Sequence, residues 1–279
     1  MLELIKLVVF FFSSSVFAFS ISLFLHEFGH AIFVYFITGF FPQIRFNPLS
    51  GGSVLYNVID PISAFYKTLI SGGGIIFGIA LGIIIVLFTL RFFRSPWATP
   101  FILIGFISTG VNSIMLFVSP FIFNLGDVIK INSLGVPIYV TFLAGGVFLY
   151  ISLILFIYCM PYFGLDDSCS LKKKCAVILG SVSIYSIIIL ANTAVVQKEK
   201  LLYYSNLIIL ILLTLLLGIS IAHYGQKHFV KMRMKALKIK WIHLSYSLLL
   251  SIIVFVMLGI NKHGPRLIMP VSHTSSRIN

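Results

Sequence analysis

The feature that most constrains the fold of this chain is a series of long apolar runs separated by short polar breaks. An α-helix needs about 20 mostly apolar residues to cross the roughly 30 Å hydrocarbon core of a bilayer. Only 10% of the residues are charged, so lipid must solvate much of the protein surface. The sequence therefore predicts an all-α polytopic membrane protein with about seven transmembrane helices, at positions 7–37, 68–93, 98–123, 137–160, 176–196, 202–223 and 241–260.

The formal net charge of +13 could indicate nucleic-acid binding in a soluble protein. Here most Lys and Arg residues lie in the gaps between apolar runs, as the flanking charges of membrane helices do. We therefore expect the lipid bilayer as a partner, with anionic headgroups near these charges, and no nucleic acid. The first run has no A-x-A-like cleavage site and is interpreted as a retained helix, not a signal peptide.

The segment 39–66 interrupts the helical pattern after the first run. Pro, Gly, Asn and Asp residues punctuate it, and two short pieces, 44–46 and 53–56, alternate weakly between apolar and polar residues. This pattern predicts a short β-hairpin or a re-entrant loop rather than a helix. A second break, 124–134, is predicted to be a short polar link.

The first apolar run contains the motif His26-Glu27-Phe28-Gly29-His30, which has the form HExxH. On a helix the two histidines lie on one face and can bind one Zn²⁺, while Glu27 can act as general base toward a water that the metal acidifies. An ionisable residue inside a membrane helix costs about 2.5–3.5 kcal/mol or more and usually marks function. The motif therefore predicts a zinc site that catalyses hydrolysis.

A hydrolytic zinc site needs a third protein ligand, and the sequence offers few acids. Asp127 follows the third run, which ends on the same side of the membrane as the first, so it can meet His26 and His30 at a similar depth. Asp60, in the 39–66 segment, is the competing candidate. Asp166 and Asp167 belong to a loop on the opposite side and are interpreted as solvated charges.

Two asparagines lie in or near the third run, Asn112 and Asn124. A buried amide must be hydrogen-bonded, so either could orient a metal ligand, bind the carbonyl of a substrate or join two helices. The glycine clusters 72–74 and 145–146 favour close helix packing. Admission of a substrate helix is the alternative interpretation of these glycines.

These motifs resemble the site-2 protease family of intramembrane zinc metalloproteases, and in particular its small prokaryotic members without a large soluble insert. The resemblance covers about residues 1–135 and depends on HExxH, the loop after it, the 72–74 glycines and the segment from Asn112 to Asp127. One departure is the order Gly126-Asp127, since the family usually has Asp-Gly.

The resemblance implies that His26, His30 and Asp127 bind zinc and that Glu27 is the catalytic base. It also implies that the loop after the first helix offers a strand edge to an unwound substrate, with the residues Gly51, Gly52, Ser53 and Val54, and Asn112 nearby. Such an edge suits the chemistry, because a helical peptide hides its amide bonds until it unwinds.

The resulting hypothesis is a zinc-dependent metalloendopeptidase that cleaves membrane-spanning or membrane-proximal protein segments. Its location is expected to be the cell membrane of a prokaryote, which it would cross several times. The predicted domains are a three-helix catalytic core, 1–135, and accessory helices with a C-terminal tail, 136–279. Two alternatives are a proton- or metal-conducting transporter and a catalytically degenerate relative that binds membrane helices.

Overall fold

The computed structural model describes residues 1–47, 51–55, 62–93, 95–122, 126–165, 169–195, 200–224 and 238–263. The described part is mostly helical and contains one small antiparallel sheet. The helices are α1 (Leu2–Thr38), α2 (Ala64–Phe92), α3 (Thr99–Ile122), α4 (Asp127–Ser133), α5 (Ile138–Cys159), α6 (Leu171–Val195), α7 (Lys200–Tyr224) and α8 (Trp241–His263). The strands are β1 (Gln43–Asn47) and β2 (Gly51–Leu55).

Four helical segments among the described residues are long and apolar enough to cross a membrane: Leu2–Thr38, Ala64–Phe92, Pro96–Phe121 and Ile138–Phe163. The last two include the 3₁₀ turns Pro96–Ala98 and Met160–Phe163, which extend α3 and α5. Two further apolar helical segments are shorter, Leu207–Ser220 and Trp241–Met257. The prediction of a mostly helical chain is confirmed, and the four candidate spans correspond to four of the seven predicted ones.

The two strands after α1 pair antiparallel, with Ile44 opposite Val54 and Phe46 opposite Gly52. The segment is thus a hairpin, one of the two alternatives that the sequence left open. The ring of Phe46 contacts the ring of Phe24 on α1 at a centroid distance of 5.6 Å. Side chains alternate along a strand, so the hairpin face that carries Ile44, Phe46, Gly52 and Val54 lies toward α1.

Helices α1 and α3 lie at the centre of the bundle. α1 packs against α2, α3, α6 and α8, while α3 packs against α2, α5 and α7. Buried hydroxyls join the helices at two points: Ser22 donates to the carbonyl of Ile104 (3.1 Å), and Ser108 donates to the carbonyl of Gly78 (2.8 Å). Helix α1, which carries the HExxH motif, is therefore surrounded by other helices.

Glycines on one face of α2 allow α1 and α3 to approach closely. A Cβ atom on Gly82 would lie 2.7 Å from a side-chain carbon of Thr109, and one on Gly78 would lie 2.5 Å from the amide nitrogen of Asn112. On α5, a Cβ atom on Gly145 would lie 2.5 Å from the backbone nitrogen of Phe117. In the 72–74 cluster, a Cβ atom on Gly73 would lie 3.0 Å from the carbonyl oxygen of Gly29 on α1, so both glycine clusters contribute to close helix packing.

The segment predicted to be a polar link contains a short helix, α4. Its residues Val128 and Ile131 are buried against Ile75 and Ile79 of α2 and Leu116 of α3. The sequence predicted a short polar link here, and it did not predict that residues 127–133 form a helix with a buried apolar side. Burial of two apolar side chains one turn apart stabilises this helix and fixes its position beside α2 and α3.

Candidate metal centre

His26 and His30 project from the same face of α1, one helical turn apart. Their Nε2 atoms are 3.2 Å from each other. His30 is buried and His26 is partly buried. The HExxH spacing thus brings two imidazole nitrogens to one point inside the bundle.

Asp127 supplies a carboxylate at the same point from the first residue of α4. Its Oδ2 atom is 3.1 Å from the Nε2 atom of His26 and 3.1 Å from that of His30. These three side chains form a group that could hold a metal ion. The structure therefore brings together the three residues that the sequence proposed as ligands.

Gly126 sets the position of this carboxylate, because it precedes α4 with φ 87° and ψ −173°. This backbone region is accessible essentially to glycine alone. The order Gly-Asp, which departs from the Asp-Gly order of the site-2 proteases, thus has a local physical reason. Glycine makes the turn into α4, and Asp127 then faces the imidazoles.

The Nδ1 atom of each histidine has its own acceptor. Nδ1 of His30 donates to the carbonyl oxygen of Ile70 (2.7 Å), and Nδ1 of His26 donates to Oδ1 of Asn112 (2.9 Å). The amide nitrogen of Asn112 donates to the carbonyl of Ser108 (2.7 Å), which fixes the orientation of the amide. With a proton on Nδ1, both Nε2 atoms keep their lone pairs for a metal ion.

The three acceptor atoms fit a zinc ion by distance and by chemistry. Tetrahedral zinc with bonds of about 2.0–2.1 Å separates neighbouring ligand atoms by roughly 3.3 Å, and the observed separations are 3.1–3.2 Å. Imidazole nitrogen and carboxylate oxygen are atom types that zinc accepts as ligands, so these three side chains could hold such a cation.

Gly74 of α2 has no side chain and so leaves room for the Nε2 atoms of His26 and His30. A Cβ atom at Gly74 would lie 2.5 Å from Nε2 of His30 and 2.8 Å from Nε2 of His26. Any side chain here would therefore displace the imidazoles from their common point. The sequence indicated a packing role for glycines 72–74, but it did not indicate this contact with the histidines.

Glu27, the candidate base, is buried, with 9% of its surface exposed. It lies against β2 of the hairpin, since a Cβ atom on Gly52 would be 2.5 Å from Cγ of Glu27. The same atom would be 2.8 Å from the carbonyl oxygen of Arg45. The absence of a side chain at residue 52 thus allows the backbone of β2 to rest on the side chain of Glu27.

The other candidate residues differ in what the structure shows of them. Ser53 is exposed and Val54 is partly buried on β2, while Gly51 begins this strand. Asn112 of α3 contacts His26 of α1, which fits both the ligand-orienting and the helix-joining interpretations, while its role in binding a substrate carbonyl stays a prediction. The alternatives Asp60 and Asn124, and the loop acids Asp166 and Asp167, lie outside the described residues.

The backbone carbonyl of Ile70 was missed by the sequence analysis, because a carbonyl acceptor has no signature in the sequence. Gly52 was proposed only as part of a strand edge, and its contact with Glu27 was not anticipated. Comparisons with protein-family models, with curated proteins and with solved structures found no match to this chain.

Proposed function

We propose that this protein is a zinc-dependent endopeptidase of the membrane, which hydrolyses peptide bonds in membrane-spanning or membrane-proximal segments of other proteins. The observation that carries the proposal is the Asp127 carboxylate oxygen, 3.1 Å from both imidazoles of an HExxH helix. The resemblance of the motifs to those of the site-2 proteases supports the same function.

His26, His30 and Asp127 would hold the metal, with Asn112 and Ile70 fixing the imidazole rings. When bound, zinc lowers the pKa of a water molecule and stabilises negative charge on a carbonyl oxygen. Glu27 accepts the proton of the attacking water and delivers it to the nitrogen of the departing amine. The hairpin, which rests on Glu27 through Gly52, is suited to hold an extended substrate backbone by strand addition.

The depth of the site suggests where cleavage occurs. Lys6 is buried against Trp241 and pairs with Glu3, an arrangement typical of a membrane interface. His26 follows Lys6 by 20 residues, or about 30 Å along the helix, which is the thickness of the hydrocarbon core. The site therefore lies near the opposite interface, close to the exposed Lys130 of α4.

The proposal includes about seven transmembrane helices, since α6, α7 and α8 lie where the sequence predicts the last three spans. It also includes the cell membrane of a prokaryote as the location. Both extend the finding of four spanning helices. The division into a catalytic core, 1–135, and an accessory region, 136–279, is part of the same proposal.

The replacement of Glu27 by Gln tests the proposal, because Gln cannot accept the proton although it has nearly the same shape. Wild type and Glu27→Gln are expressed at equal levels, and new protein N-termini in the membrane fraction are labelled and sequenced. We expect termini within or beside transmembrane segments in wild type that disappear in Glu27→Gln, with zinc content unchanged. Glu3→Gln, on the exposed first turn of α1, is the matched control and keeps the cleavage.

Identical termini in wild type and Glu27→Gln would refute the assigned base. Under the transporter alternative, vesicles containing the purified protein would instead show zinc or proton flux. A degenerate relative would show neither cleavage nor stoichiometric zinc.

A further inference from the structure

An apolar groove of about 410 Å³ runs between α2 and α5, with Leu116 of α3 as its floor. We call it the α2–α5 groove. Its two polar lining side chains are Thr68 and Thr141, and each hydroxyl donates to a carbonyl of its own helix, that of Ala64 (2.9 Å) and that of Ile138 (2.8 Å). The lining therefore offers little to a polar ligand and favours an apolar occupant.

Small residues line both walls of the groove: Gly72 and Ala80 on α2 and Ala144 on α5. In membranes such residues let a neighbouring helix come close enough for its backbone to pack. Larger side chains flank them, including Ile76 and Ile83 of α2 and Phe148 of α5. A trough between two helical walls, lined by small residues and by apolar side chains, has the shape that accepts a third helix.

The groove begins beside the metal centre and leads away from it into the bilayer. Ile131, which lines its first part, lies one turn after Asp127 on α4 and faces Gly72 of α2. Thr68 and Ile83 mark its extent along α2, and 15 residues of helix correspond to about 22 Å. Ile70 and Gly74, which contact the imidazoles, lie two and six residues after Thr68, so the Thr68 end of a docked helix would lie within about two turns of the proposed zinc ligands.

We propose that the α2–α5 groove docks the transmembrane helix of the substrate, so that the segment leaving this helix at the membrane surface reaches the metal centre and the hairpin. This inference rests on the proposed function. The groove recognises shape and apolarity rather than sequence, because both lining hydroxyls already bond to a carbonyl of their own helix, and that of Thr141 also lies 3.4 Å from Oδ1 of Asn132. A plain Leu/Ala helix is therefore a sufficient probe of docking.

The experiment measures disulfide cross-linking to such a helix in Glu27→Gln protein, with Cys159, Cys169 and Cys175 replaced by Ala. The probe is a synthetic 20-residue Leu/Ala transmembrane peptide with lysines at both ends and one central cysteine. Both components are reconstituted in vesicles of phosphatidylcholine and phosphatidylglycerol. Single cysteines are placed in the groove at Ala80→Cys or Ala144→Cys, and on the lipid-facing sides of the same helices at Ile84→Cys or Val147→Cys, which are 56% and 58% exposed.

We expect the groove positions to cross-link at least about fivefold more than the matched positions on the same helix. Ala144→Trp, which fills the groove, should remove the cross-link at Ala80→Cys, whereas Val147→Trp should leave it. Equal yields at all four positions would overturn the proposal, since lipid chains then fill the groove. The cross-linking assay needs neither zinc nor cleavage. A negative cross-linking result would therefore leave the endopeptidase proposal intact, and a negative cleavage result would leave the cross-linking result unchanged.

Discussion

The Oδ1 atom of Asn112 lies 2.9 Å from Nδ1 of His26 and joins the third transmembrane helix to the HExxH helix. The amide is itself held, because its nitrogen donates to the carbonyl of Ser108. A metal-binding histidine generally donates its second ring nitrogen to such an acceptor, which sets the tautomer and the orientation of the ring. Asn112 is therefore a positioning residue for the proposed zinc site.

Replacement of Asn112 by Ala should lower the zinc affinity about 10- to 100-fold, as loss of such an outer partner does in other zinc sites. Asn112→Asp keeps an oxygen acceptor for His26 and should retain most of the affinity. Competition of the purified protein with a fluorescent zinc chelator measures both. Equal losses in the two variants would show that Asn112 acts through helix packing instead.

Gly74→Ala should abolish stoichiometric zinc binding, because its Cβ atom would lie 2.5 Å and 2.8 Å from the two Nε2 atoms. Gly72→Ala is the matched control on the same helix, since its nearest neighbours are side-chain carbons at 3.6 Å. Metal analysis of the purified variants measures the effect. Retention of zinc by Gly74→Ala would contradict the described arrangement of the imidazoles.

Gly52→Ala should reduce cleavage while zinc remains bound, since the added methyl group displaces Glu27 and the carbonyl of Arg45, and its three nearest atoms include none of a proposed ligand. We expect a roughly 10- to 100-fold slower rate, within the contribution of a general base. Leu55→Ala, at the end of the same strand, 40% exposed and outside the proposed substrate edge, should have little effect. The rate is measured on the substrate that wild type cleaves most rapidly in the experiment that labels new protein N-termini. Full activity in Gly52→Ala would show that the hairpin does not position Glu27.

Gly126→Ala should destabilise the start of α4, because the conformation with φ 87° and ψ −173° costs other residues about 1–3 kcal/mol. Since Asp127 follows directly, zinc binding should weaken together with thermal stability. Gly39→Ala is the control: residue 39 also has a positive φ, 74°, but it ends α1 with no neighbouring atom within 4 Å of a Cβ. The Gly39→Ala variant should lose about 1 kcal/mol of stability and keep its zinc. If zinc binding weakened to the same extent in both variants, the special role of Gly126 would be refuted.

The sequence predicted the parts of the site that depend on local spacing. The i, i+4 relation of His26 and His30 follows from helix geometry, and the Pro/Gly pattern after α1 predicted a hairpin or a re-entrant loop instead of a helix. The position of Asp127 could be proposed because the number of spans between it and the motif places both at one side of the membrane. The same argument did not separate Asp127 from Asp60, because Asp60 lies in a loop predicted on the same side of the membrane.

Other features of the site depend on contacts between distant parts of the chain. Helix α4 has only seven residues, and its stability comes from burial of Val128 and Ile131 against α2 and α3, which a local pattern does not show. The glycines of α2 predicted close packing, but which helix each one approaches is set by the three-dimensional arrangement. The contacts of Gly74 with the imidazoles and of Gly52 with Glu27 therefore became visible only in the structure.

The central claim is that one zinc ion is shared by His26, His30 and Asp127. X-ray absorption at the zinc K-edge of the purified wild-type protein tests it most directly. The account predicts one zinc per chain with a first shell of nitrogen and oxygen at about 2.0–2.1 Å and the outer scattering of two imidazole rings. Protein without stoichiometric zinc, or zinc with a sulfur ligand near 2.3 Å, would contradict it.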